Sequence, residues 1–254
     1  MEAKRRPFQG VLNILSFNRH FYVYGLLSLG LLMLAIRLLP LTPPVMTTAT
    51  WILLAAYTYG LVMPLLVSAY VYDFSGYYHF DWLQKEVEEP NAVGRIVNIN
   101  AGFDETSFIL QRHFPKAEVT VFDFYNAKQH TEPAIVRARK VTQEFPDTAR
   151  IATNAIPLGE EAADLVFLLS AAHEIRSNEE KARLLEECRR ICKPGGKVIM
   201  VEHLRDFPNF LAFTIGFTHF FSRDTWKKAF TDAGFADMKE TKFTPFMSVF
   251  NCTA

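Results

Sequence analysis

Cysteine is scarce in this chain. Three residues (Cys188, Cys192 and Cys252) in 254 make an odd number with no framework spacing, which excludes a disulfide scaffold and fits free thiols in a reducing compartment. Two thiols four apart, Cys188 and Cys192, rarely hold a metal alone. An excess of basic charge is also missing. Lys and Arg total 27 against 27 Asp and Glu, so the chain lacks the electrostatic footprint of a nucleic-acid binder. There are no internal repeats and no low-complexity tracts. What the sequence has in excess is apolar residues, at 50% with 23 Phe, and they are concentrated in the first third.

Two stretches there are nearly without charge. Phe21 to Leu39 carries only Arg37, near its end, and Trp51 to Tyr72 carries none. Each is about 20 residues, the length a helix needs to cross about 30 Å of hydrocarbon. The break Pro40 to Pro44 between them cannot continue a helix, so two spans would run antiparallel as a hairpin. Lys4, Arg5, Arg6 and Arg19 precede the first span, and the connecting loop is uncharged. The positive-inside rule therefore puts the N-terminus and the main domain on the cytoplasmic side of the inner membrane. Tyr22, Trp51, Tyr70, Tyr72, Tyr77 and Tyr78 suit interfacial belts, and Arg37 can snorkel. A cleaved signal peptide is the weaker reading, because no small-residue cleavage site follows the first span. Phe8 to Phe17 reads as a weak amphipathic segment.

From Asp81 onward, charges appear and apolar runs shorten to strand length. Strands are expected at Arg95–Asn100, Glu118–Asp123, Arg150–Asn154, Asp164–Leu169 and Lys197–Val201. Helices are expected at Glu105–His113, Glu132–Glu144, Asn178–Ile191 and from Ser222 to Ala233. Ser177 and Glu180 form a capping box for the third, and Lys193 to Gly196 supplies a breaker and a turn after it. The alternation means a parallel sheet with crossover helices, closed by a late hairpin around Phe235–Thr244 and Phe246–Cys252. The divisions are an N-terminal segment 1–20, a two-helix hairpin 21–72, an interfacial linker 73–92 and an α/β domain 93–254.

Three segments carry a resemblance: Ile96–Glu105 (IVNINAGFDE), Val119–Asp123 (VTVFD) and Glu187–Glu202 (ECRRICKPGGKVIMVE). In order and spacing they resemble the class I S-adenosylmethionine (SAM) methyltransferases, over roughly Val93 to Cys252. The resemblance implies a Rossmann-like sheet with ligands outside its carboxyl edge. It further implies SAM held by Asn98, Asn100, Ala101, Gly102, Phe103, Asp123, Phe124, Asn154, Ala155 and Ser170. Gly102 would let the backbone approach the cofactor, Asp123 would accept the ribose hydroxyls, and Asn154 and Ala155 would meet the adenine. Asn98 and a turn with one glycine depart from the family, which has an acid and two or three glycines there. Asn98 can hydrogen-bond an amino group but supplies no charge. Asp104 and Glu105 could replace the missing carboxylate, or serve the dipole of the next helix.

Polar groups after the fourth and fifth strands are the candidates for chemistry: His173 and Glu174, Glu202 and His203, with Asp206 near. Either histidine could act as a base with a carboxylate orienting its ring, and strand-end structural roles explain the same residues. Mixed His and carboxylate groups also suit a divalent cation, although the spacing assigns no metal. His113 and His130 read as surface residues, and Arg137, Arg139 and Lys140 as a solvated basic face. Phe207 to Phe221 holds five Phe beyond Phe207 and would form an acceptor lid, a face on the bilayer or ordinary core. With Tyr77, Tyr78, Phe217 and His219 as acceptor contacts, the expected function is methylation of a quinone, isoprenoid or lipid in the membrane. A non-catalytic membrane-bound binding protein of the same fold is the alternative. The lipid bilayer and a hydrophobic acceptor are the expected partners, nucleic acid is not, and self-association stays open.

Overall fold

The computed structural model describes residues 5–87 and 89–254. Lys4, one of the positive charges before the first span, lies outside them. Three helices open the chain: α1 (Gln9–Phe17), α2 (Arg19–Leu38) and α3 (Pro43–Ser68). Both α2 and α3 are long and apolar enough to cross a membrane. They lie antiparallel, with Ser28 Oγ 3.0 Å from Tyr57 OH and Gly25 facing Leu61. Their outer faces are unpacked: Leu31, Leu34, Trp51 and Ile52 are all more than half exposed. Pro43 begins α3, a position where its missing N–H costs nothing. The helix then widens into a π turn over Ala69–Phe74, which swings Tyr72 toward the domain.

The remainder is an α/β domain with a seven-stranded sheet. Its strands are β1 (Arg95–Asn100), β2 (Glu118–Asp123), β3 (Ala149–Arg150), β4 (Ala163–Leu169), β5 (Cys192–His203), β6 (Met238–Thr244) and β7 (Met247–Thr253). They are ordered β3-β2-β1-β4-β5-β7-β6, with only β7 antiparallel to its neighbours. Order reverses between β1 and β4, which places the ligand crevice at their carboxyl ends. The central strands are buried on both faces, as a covered parallel sheet requires. The helices are α4 (Ser107–His113), α5 (Pro133–Ala138), α6 (Asn178–Ile191), α7 (Phe207–Phe213) and α8 (Arg223–Asp232).

β1, β2 and α6 have the expected bounds, and Ser177 Oγ caps α6 by accepting from Glu180 N at 3.3 Å. Three expectations need correction. The strand expected at Arg150–Asn154 is only Ala149–Arg150, because Ala152 and Ala155 pair across a tight turn instead. The helix expected at Glu132–Glu144 ends at Ala138. The Lys193–Gly196 stretch lies within β5, bulging between the pairs Ala163–Cys192 and Leu165–Lys197. Gly196 fits there because a Cβ would stand 2.9 Å from the Asp164 carbonyl.

α1 is docked by Asp73, whose carboxylate accepts from Gly10 N at 2.8 Å and from Val11 N at 3.3 Å. An acid at these free N–H groups also suits the helix dipole. A Cβ on Gly10 would meet Tyr72 Cβ at 2.5 Å. Gly10→Val should therefore detach α1 from Asp73, and limited proteolysis should cut the N-terminal segment several times faster than in the wild type.

Candidate functional site

The carboxyl ends of β1, β2 and β4 converge with the turns after them. Asn98 is buried and its Nδ2 donates to Thr106 Oγ1 (3.0 Å) and Ser107 Oγ (2.8 Å). Asn100 Oδ1 accepts from Gly102 N at 2.6 Å, which fixes the turn while Gly102 takes a φ of 78°. Asp104 Oδ1 accepts from Thr106 N and Ser107 N, so it serves the start of α4. Three buried atoms around this turn have no hydrogen-bond partner among the described residues: Asn98 Oδ1, Asn100 Nδ2 and Asp104 Oδ2. Two acceptors and a donor left this way are what a polar ligand with an ammonium group would satisfy.

Asp123 ends β2, nearly fully buried, and Oδ1 accepts from Tyr125 N. Its Oδ2 is taken by Arg139 at 2.8 Å. Arg139 also donates to Ala101 O at 2.9 Å and lies over the Tyr125 ring, 4.0 Å from its centre. The Arg139 guanidinium fills the space that a Cβ on Gly102 would enter. The pocket left beside Asp123, Gly102 and Arg139 measures about 90 Å³. Small-molecule sites are roughly 300–1,000 Å³, so a nucleoside cofactor fits this crevice only once Arg139 swings aside. Asn98 and Asp104 could hold an amino group there, and Asp123 the hydroxyls of a ribose.

A second cavity of about 360 Å³ adjoins it. Ala101, Phe103, Thr106, Ser170, His173 and Glu174 form its domain wall, while α1, His20, Phe21, Gly60, Leu61 and Pro64 form the opposite one. Tyr77 and Tyr78 line it as expected, and Tyr77 OH shares a 3.1 Å hydrogen bond with Ser170 Oγ. Tyr72 and Tyr77 point inward, so they cover the crevice and do not form an interfacial belt. Glu105 accepts from Arg5, Gln9, Asn13 and Tyr78 and seals one side.

The two histidines behave differently. His203 donates Nδ1–H to Phe246 O at 2.9 Å, so Nε2 accepts from Tyr72 OH at 2.9 Å. Burial pushes its pKa down to about 4, despite the Asn209 hydrogen bond. His203 is thus a neutral, fully used ring that holds Tyr72. His173 Nδ1 is 2.7 Å from Glu202 Oε2, and its backbone N donates to Oε1 of the same carboxylate. Burial alone would lower its pKa, but the charge and hydrogen bond of Glu202, with Glu174 and Glu132 behind, raise it to about 9. His219 reaches the same rim, its ring centre 5.0 Å from that of His173.

Other expected residues lie elsewhere. Asn154 and Ala155 are exposed and line neither cavity, because the third strand stops short of them. Phe124 is buried in the core, and Phe217 packs on Phe210 outside the cavity. His130 is buried, accepting from Asn126 N, and is not a surface residue. Of the expected basic face, Lys140 is exposed but the two arginines are not free in solvent. Arg139 pairs with Asp123, and Arg137 binds Phe17 O and His20 Nδ1. A buried carboxylate such as Asp123 needs a counter-charge, which was the signal for Arg139.

Residues 97–200 match the methyltransferase domain family. Among solved structures, the chain is similar to a SAM dependent methyltransferase from Aquifex aeolicus, 16% identical with a TM-score of 0.50, over 71% of this chain and 93% of that one. It is also similar to a candidate O-methyltransferase from Nostoc punctiforme, 17% identical with a TM-score of 0.51, over 76% of this chain and 58% of that one. A highly reducing polyketide synthase from Pyrenophora dematioidea is 33% identical over an alignment of 91 residues that covers 30% of this chain. The chain spans 3% of the length of that synthase.

Removing Arg139 leaves Asp123 Oδ2 to the longer contact with Arg150, at 3.6 Å, until a ribose arrives. Arg139→Ala should therefore bind S-adenosylhomocysteine several-fold more tightly than wild type, and Asp123→Asn at least tenfold more weakly, by calorimetric titration of the detergent-purified chain.

Proposed function

We propose that the class I SAM-dependent methyltransferase domain of this chain methylates a hydrophobic acceptor drawn from a membrane. Its sheet order and the methyltransferase domain family matched over residues 97–200 support that reading. The observation that carries the acceptor reading is the composition of the larger cavity. One wall comes from the strand-end turns beside the crevice, and the other joins α1 to Phe21 of α2 and Leu61 and Pro64 of α3.

Depth supports it. Tyr59 OH donates to Leu211 O at 2.6 Å, tying α7 to α3 nine residues before the end of that helix. At about 1.5 Å per residue, this lies about 13 Å along the axis. Phe207, Phe210, Leu211 and Ile215 are exposed there, continuing the apolar surface of α2 and α3 onto the domain. Such a surface suits the boundary of headgroups and acyl chains. The hairpin then anchors the chain with the domain on the cytoplasmic side, and the Phe-rich lip dips into the leaflet. Quinones, isoprenoids and lipid headgroups are acceptors that could reach the cavity sideways.

SAM, when bound, supplies a methyl group on a sulfonium. Asp123, Asn98 and Asp104 would hold it, and Tyr77 with Ser170 would set the wall next to the methyl. Within the chain, Glu202 holds the His173 ring at the cavity wall, where it would face the polar end of the acceptor.

Full-length protein in nanodiscs, given methyl-labelled SAM and a membrane lipid extract, should transfer label to the organic-soluble fraction. Asp123→Asn should reduce transfer at least tenfold. Label appearing only in water-soluble products would sink the lipophilic acceptor. Phe210→Asp with Ile215→Asp should slow transfer to vesicle-embedded acceptor several-fold while leaving S-adenosylhomocysteine affinity unchanged.

A further inference from the structure

One ligand atom each from His173, Glu174 and His219 lies within 4.8 Å of the others, at the rim of the larger cavity. The two rings are prepared in the same way. His173 Nδ1 is held by Glu202 at 2.7 Å, and His219 Nδ1 by Glu132 Oε2 at 2.8 Å. Each ring therefore has Nε2 as its unused nitrogen, and that of His173 stands 3.5 Å from Glu174 Oε1. A carboxylate on the far nitrogen is how histidines are oriented and made more basic as metal ligands.

We propose that His173, Glu174 and His219 form a binding site for a divalent first-row transition metal ion, with Glu202 and Glu132 positioning the two rings. Two imidazoles and one carboxylate suit borderline ions such as Zn²⁺, Mn²⁺ or Fe²⁺, and three protein ligands leave further positions open. Those positions face the cavity, so an oxygen of a bound ligand completes the coordination. Charge agrees with the assignment. Glu132, Glu174 and Glu202 gather three carboxylates around the rings. Arg176 spends Nη1 on the carbonyls of His173 (3.2 Å) and His219 (2.8 Å), which fastens the two ligand-bearing segments together. Closing the ligand atoms onto an ion needs movements of about an ångström. His219 can supply them, because it sits in a short 3₁₀ segment, Thr214–His219. The site stands whatever the acceptor is, and its test uses neither SAM nor acceptor.

The full-length chain in detergent, stripped with chelator, should take up one Zn²⁺ per chain in calorimetric titration, with Mn²⁺ as a second probe read by electron paramagnetic resonance. Glu174→Gln and His219→Ala should each weaken binding at least tenfold. Glu132→Gln changes a half-exposed carboxylate that the fold does not need, and should weaken it about 10–100-fold. His79→Ala, at an exposed histidine away from the cavity, should leave affinity unchanged. The proposal is overturned if neither ion binds saturably, or if the three site variants bind as the wild type does.

Discussion

Glu105 gathers distant parts of the chain onto one carboxylate. Its carboxylate accepts from Arg5, Gln9 and Asn13 on the N-terminal segment and from Tyr78 after the second long helix. It follows the β1 turn itself, so the same group ties both segments to the carboxyl edge of the sheet. Hydrogen bonds to a charged, largely buried acceptor are worth roughly twice neutral ones. The N-terminal helix and the tyrosines therefore form a fixed wall over the crevice, and the cavity exists because that wall stands clear of the strand ends.

Within the cavity, apolar and polar surfaces are separated by their origin. The long helices contribute Phe21, Leu61 and Pro64, and the strand ends contribute Ser170, His173 and Glu174. Its geometry suits a ligand with a greasy body and one polar end. His203 is kept neutral by burial and committed to Tyr72, whereas His173 is held among carboxylates. Two histidines next to adjacent strand ends thus have unlike surroundings, one bound to the wall through Tyr72 and the other held by Glu202.

Much of the fold was legible in the sequence. β1, β2 and α6 are strongly patterned segments whose ends carry Asn100, Asp123 and the Ser177 cap, so local signals and tertiary packing agree there. Agreement fails at Arg150–Asn154, where an apolar-polar run reads as a strand but the third strand is an edge needing only two paired residues. The Lys193–Gly196 turn misled for a related reason. Gly195 and Gly196 let the strand bulge and resume, so a breaker in sequence became an irregularity in register. Arg139 and His130 looked solvated because nothing local shows that Asp123 and Phe124 lie beside them.

The sequence by itself determined the class of the sheet, the two long apolar helices and the acids and glycine of the cofactor turn, because these rest on periodicity, length and backbone freedom. Tertiary structure decided which side chains act together. The Arg139–Asp123 pair, the inward tyrosines and the grouping of His173, Glu174 and His219 join residues up to 131 positions apart, and charge compensation in a buried site is settled only once the chain has folded around it.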